Sequence, residues 1–122
     1  MYNAEVKESY KALTAKERIA IKDTTGAIRL DEATMESEIE IKPINWAVLA
    51  IHNDKAEDKD YETYVVIDES GLRYITGSKS FWASFRAIFD EMQSENEDYM
   101  IKVYRRPSTN YKGKDFITCS IM

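Results

Sequence analysis

Only one cysteine is present, Cys119, so no intramolecular disulfide can form and nothing points to an oxidising compartment. His52 is the only histidine. A metal site of the usual His/Cys type therefore has almost nothing to be built from, and neither a metal nor another cofactor is expected. No run reaches the 18 apolar residues of a membrane-crossing helix. The first residues, MYNAEVKESYKALTAKE, are polar and charged and lack the apolar stretch of a secretory signal. Four glycines and two prolines are too few for low-complexity disorder. Glycine-rich phosphate loops and internal repeats are absent. Basic residues are in the minority, 17 against 22 acidic, for a net charge of −5. That excludes a uniformly basic binder of nucleic acid or anionic membrane. What remains is one soluble intracellular domain of 122 residues, 43% of them apolar.

The chain then reads mostly as strands. Residues 1–13 are weakly patterned and are expected as an arm. Thr14 and Glu17 have the spacing of a capping box, which predicts a short helix or turn over 14–20; residues 18–22 alternate and suit a strand equally well. Alternation or β-branched content predicts strands at 37–42, 46–52, 61–67, 72–76, 99–106 and 114–121. Asp68-Glu-Ser-Gly71 is expected as a hairpin turn, with Gly71 supplying a positive φ. Ser78 or Ser80 caps the one strong helix, where Phe81, Phe85, Ile88, Phe89 and Met92 recur with a period near 3.6. The acidic run that follows, through Asp98, reads as loop. From residue 46 the order is three strands, one helix, two strands. That is the order of an OB-fold, a five-stranded, partly open barrel. The expectation is therefore a mainly β, OB-fold-like barrel of five or six strands over 37–122, with the helix between its third and fourth strands. Residues 1–36 would form an arm and loop docked on that body.

Charge is segregated along this order. Lys102, Arg105, Arg106, Lys112 and Lys114 fall in 101–114 with no acid among them, which leaves a balance of −10 elsewhere. Alternation places Lys102, Tyr104 and Arg106 on one face of 99–106, opposite Ile101 and Val103. It places Lys114, Phe116, Thr118 and Ser120 opposite Ile117, Cys119 and Ile121. Tyr111 and Lys112 sit in the connecting loop. Rings set among cations suit a single strand of nucleic acid, whose bases stack and whose phosphates are neutralised by Lys and Arg. Tyr64 and Arg73, on neighbouring strands, are expected to extend the row; Trp46 and Tyr74 are assigned to the core. An ordinary solvated hairpin is the alternative that charge alone leaves open.

Catalysis finds little support. His52 lies in an apolar strand and reads as structural, and Cys119 reads as a small core residue. The acidic loops would need converging carboxylates to hold Mg²⁺, which the spacing does not supply.

The run Tyr64-Val-Val-Ile-Asp-Glu-Ser-Gly-Leu-Arg-Tyr74, the helix after Ser78, Ile101-Lys-Val-Tyr104 and Lys112-Gly-Lys-Asp-Phe-Ile-Thr-Cys-Ser-Ile121 together resemble the small single-stranded DNA-binding proteins of tailed phages of Gram-positive bacteria. The resemblance covers residues 46–122. It implies sequence-independent coating of exposed strands during phage DNA replication or recombination, in the cytoplasm of the infected cell and without enzymatic activity. Single-stranded DNA is the implied partner; phage or host replication proteins and a second copy of the chain are further candidates, and a membrane is not. The competing expectation, favoured by the −10 balance, is a small acidic phage protein that binds and inhibits a host protein by imitating DNA charge.

Overall fold

Two helix starts are marked by side chains that satisfy orphan N–H groups. Thr14 Oγ1 accepts from Glu17 N–H at 3.2 Å, while the Glu17 carboxylate accepts from Thr14 N–H at 2.9 Å. This reciprocal box begins α1 (Ala15–Lys22), so the helical alternative holds at 18–22. Ser78 Oγ accepts from Phe81 N–H at 3.2 Å and begins α3 (Lys79–Met92). The computed structural model describes residues 2–95, 97–108 and 114–122. Its other elements are β1 (Tyr2–Ser9), a 3-10 turn (Thr24–Gly26), β2 (Ile28–Arg29), α2 (Leu30–Ala33), β3 (Ile39–Ile41), β4 (Pro43–Asn53), β5 (Asp60–Asp68), β6 (Arg73–Thr76), β7 (Ile101–Pro107) and β8 (Asp115–Ile121). The protein is mainly β, as its composition of β-branched and aromatic runs predicts.

Two compact units emerge: Met1–Arg29 with Pro43–Gly77, and Leu30–Lys42 with Ser78–Met122. In the first, five strands run in the order β1-β4-β5-β6-β2, all antiparallel except the short β2–β6 pair. The middle of β4 is buried on both faces, through Trp46, Ala47, Val48 and Leu49. Ala47 and Leu49 share one cluster with Val65 and Ile75, onto which α1 lays Ile21. The β5–β6 turn forms as expected: Gly71 takes φ +88° and donates to the Asp68 carbonyl, and Asp68 Oδ1 accepts from Ser70 and Leu72 N–H.

In the second unit three antiparallel strands run β3-β7-β8. Helix α3 lies beside the outer strand β8: Ser80 Oγ donates to the Ile117 carbonyl at 3.0 Å, and Ser84 Oγ shares a hydrogen bond with Thr118 Oγ1 at 3.0 Å. This covers an edge that would otherwise offer bare backbone groups. Phe81, Phe85 and Phe89 are fully buried, with ring centroids 5.8 and 5.4 Å apart along the stripe. The helix continues through the acidic residues Asp90 and Glu91 to Met92. There Arg86 pairs with Asp90 one turn on, at 3.2 Å, and compensates for carboxylates near a helix C-terminus.

Two expectations change. Residues 1–13 hold a strand, β1, paired with β4 over its whole length with a bulge at Lys7. Its local pattern is weak because the partner, some 45 residues away, fixes it. A closed barrel does not form among the described residues. Closing one would need an open edge on the β4–β6 sheet to pair with β7 or β8; β1 and β2 occupy those edges, and β3 takes the outer edge of β7.

Candidate nucleic-acid interface

The β7–β8 hairpin follows the alternation rule. Ile101, Val103, Ile117 and Cys119 are buried on one face. The pairs Lys102–Ser120, Tyr104–Thr118 and Arg106–Phe116 face each other across the strands on the opposite face. Arg106 is exposed, and Phe116, directly across from it, keeps 38% of its surface in solvent. A guanidinium and an open ring thus stand side by side, with exposed Lys114 immediately before β8. Tyr104 is half-buried, and its hydroxyl shares a hydrogen bond with Ser120 Oγ at 2.6 Å. Ser120 is the diagonal neighbour, roughly 7–8 Å away on a sheet. The tyrosine ring must therefore lie along the sheet rather than stand off it, which presents a ring face.

The other predicted residues divide. Arg105 points the opposite way from Tyr104 and Arg106. Its guanidinium donates to Thr34 Oγ1 at 3.2 Å and to the Asp31 carbonyl. It anchors the α2 turn and is removed from the phosphate-binding set. Tyr64 is buried in β5, and its hydroxyl is pushed up by that burial, so it offers no ring face to a base. Arg73 belongs with Tyr64 to the five-stranded unit; its guanidinium donates to the Ala20 and Asp23 carbonyls. These carbonyls lie in the last turn of α1 and at its C-cap, and the Ala20 one also accepts from Asp23 N–H, so the Arg73 guanidinium is committed to the end of the helix. Tyr111 and Lys112 lie outside the described residues. Lys102 lines the face as expected but has acidic company: Glu40 of β3 is directly across from it, and Glu38 Oε2 is 3.9 Å from its ammonium. Thr118 is committed to Ser84.

Sequence reasoning missed Glu38 and Glu40. Their alternation with Ile39 and Ile41 was visible, but the pairing of that strand with β7 was not. Glu38 and Tyr104 form the shared wall of two clefts. One, of about 310 Å³, runs past Thr34, Met35 and Arg105. The other, of about 340 Å³, is lined by Lys102, Ser120, Ile121 and Met122 as well.

Outside this face, Cys119 is buried and its thiol is pushed up to about 12 by desolvation, which makes it a core residue at neutral pH. His52 is half-exposed, with Nδ1 2.7 Å from Asp60 and Nε2 2.7 Å from Asp54. Hydrogen bonds to Asp60 and then Asp54 raise its pKa above 6.5. With a carboxylate on each nitrogen, it staples the β4–β5 loop. No helix among the described residues is long and apolar enough to cross a membrane. Family models, curated proteins and solved structures yielded no match to this chain.

Proposed function

We propose that the chain is a sequence-tolerant single-stranded DNA-binding protein, serving phage DNA replication or recombination in the cytoplasm of an infected cell. The observation that carries this reading is the open Arg106–Phe116 pair on the same face as the flat-lying Tyr104. Bases stack on Tyr104 and Phe116, each ring contributing about 1–3 kcal/mol. Arg106 and Lys114 take the phosphates; Lys102, set beside Glu38 and Glu40, lines the same face. The acidic remainder repels the denser charge of duplex and restricts contact to this face. The order of three strands, a helix and two strands over β4–β8 supports kinship with OB-type modules, and that kinship is part of the proposal.

The test is fluorescence anisotropy with a labelled oligothymidylate over a salt series. Each phosphate contact on a single strand lowers log K by about 0.7 per decade of salt. Arg106 and Lys114 alone then give a slope of about −1.4. Salt-independent binding contradicts the phosphate half of the mechanism. The −10 balance outside 101–114 favours a second reading, an inhibitor that imitates DNA charge toward a host protein. Absence of DNA binding together with stoichiometric capture of one host nuclease would select it.

A further inference from the structure

The 340 Å³ cleft beside Tyr104 carries more than a ring and positive charge. Lys102 and Glu38 both line it, and their charged groups stand 3.9 Å apart, too far for a hydrogen bond. Among the described residues Lys102 is the one polar partner of the Glu38 carboxylate. The cleft therefore offers an ammonium that can only donate and a carboxylate that can only accept, next to each other and beside a stacking surface. Ile121 and Met122 close its far side with apolar surface.

Of the four DNA bases one has the matching edge. Guanine presents an acceptor, O6, followed by two donors, N1–H and the 2-amino group. We propose that this cleft is a guanine site on the single strand, with the base stacked on Tyr104, O6 accepting from Lys102 Nζ, and N1–H and N2–H donating to the Glu38 carboxylate. Thymine, with O4 on Lys102, brings Glu38 the single donor N3–H and turns the O2 carbonyl oxygen toward it. Adenine and cytosine bring one amino donor each and a bare ring nitrogen beside it. The inference rests on the strand-binding reading and adds a base preference at one position to otherwise sequence-tolerant binding. It also gives the acidic residues on this face a role: they admit a base edge where they would repel a phosphate.

The test compares labelled thirteen-residue oligothymidylates whose central position is dT, dA, dC, dG or deoxyinosine, each binding to wild-type protein and to Glu38→Gln. A carboxylate taking two donors predicts about tenfold tighter binding of the dG oligonucleotide than of the dT one, with deoxyinosine, which lacks the 2-amino group, in between. Glu38→Gln should erase the dG advantage and leave the all-dT affinity within twofold. The inosine comparison needs no variant, so it stands even if Glu38→Gln disturbs the fold. Equal affinity for all five oligonucleotides overturns the guanine site and leaves strand binding intact; no binding to any of them overturns the strand-binding reading itself. Free dGMP should compete only at millimolar concentration, because it brings no neighbouring phosphates to Arg106 and Lys114. Displacement at micromolar dGMP would make a free guanine nucleotide the ligand and overturn the strand form of the proposal.

Discussion

Arg73 and Arg106 look alike in the sequence, each an arginine on a strand near an aromatic, yet the two units put them to opposite uses. In the five-stranded unit several charged side chains are held by partners within the unit. Arg73 caps the end of α1, His52 sits between Asp54 and Asp60, and Lys7 bonds Glu62. Tyr64, on the same sheet, is buried. In the three-stranded unit Arg105 is spent on the fold, Arg86 pairs with Asp90 and Lys102 lies near Glu38, while Arg106, Lys114 and Phe116 stand open. The difference teaches that residue type does not make a binding face. What matters is whether the side chain still has unused hydrogen-bonding capacity and exposed ring surface after folding.

The largest effect that would sharpen the contrast is on stability. Phe85→Ala removes the middle ring of the α3 stripe, which is fully buried and within 5.8 Å of three other aromatic rings. It should cost about 3–5 kcal/mol in denaturant unfolding. Next, Tyr104→Ala and Phe116→Ala should each weaken oligothymidylate binding about tenfold with the unfolding midpoint nearly unchanged for Phe116→Ala. Retained affinity in both would break the contrast, because open rings would then mean nothing for binding. A smaller change belongs to the other unit. Gly71→Ala meets no atom within 4 Å but forces a side chain to φ +88°, and should cost about 1 kcal/mol of stability with DNA affinity untouched. The smallest is a pH effect. The folded pKa of His52 is raised, so its contribution is fully present below the unfolded value of 6.5 and is lost as pH rises through the folded value. Protection factors of the β4–β5 loop amides, which divide out the intrinsic rise of exchange with pH, should therefore fall across that window in wild type and stay flat in His52→Asn.

Much of this was legible locally. Ser78 followed by phenylalanines at helical spacing, Thr14 with Glu17, and Asp68 with Gly71 are short-range signals, and each forms the predicted element. Alternation also placed Lys102, Tyr104, Arg106 and Phe116 on one face. The failures are long-range. Nothing near residues 2–9 announces β4 as a partner, and nothing near Arg105 announces Thr34, 71 residues away. The division into two sheets follows from which strand takes which edge, and the order of elements alone does not decide it. Arg105 and Arg106 could have been separated by parity, since only the even-numbered residues of β7 share the Tyr104 face; the dense run of positive charge obscured that.

The most direct measurement is the salt dependence of oligothymidylate binding for Arg73→Ala and Arg106→Ala side by side. Arg106→Ala should weaken binding and flatten the slope by about 0.7, with the unfolding midpoint unchanged. Arg73→Ala should leave affinity and slope alone and lower stability by about 1–3 kcal/mol, through the loss of its charge-assisted hydrogen bonds to the end of α1. The reverse pattern, with binding and slope lost in Arg73→Ala and kept in Arg106→Ala, would contradict the assignment of the binding face to β7 and β8.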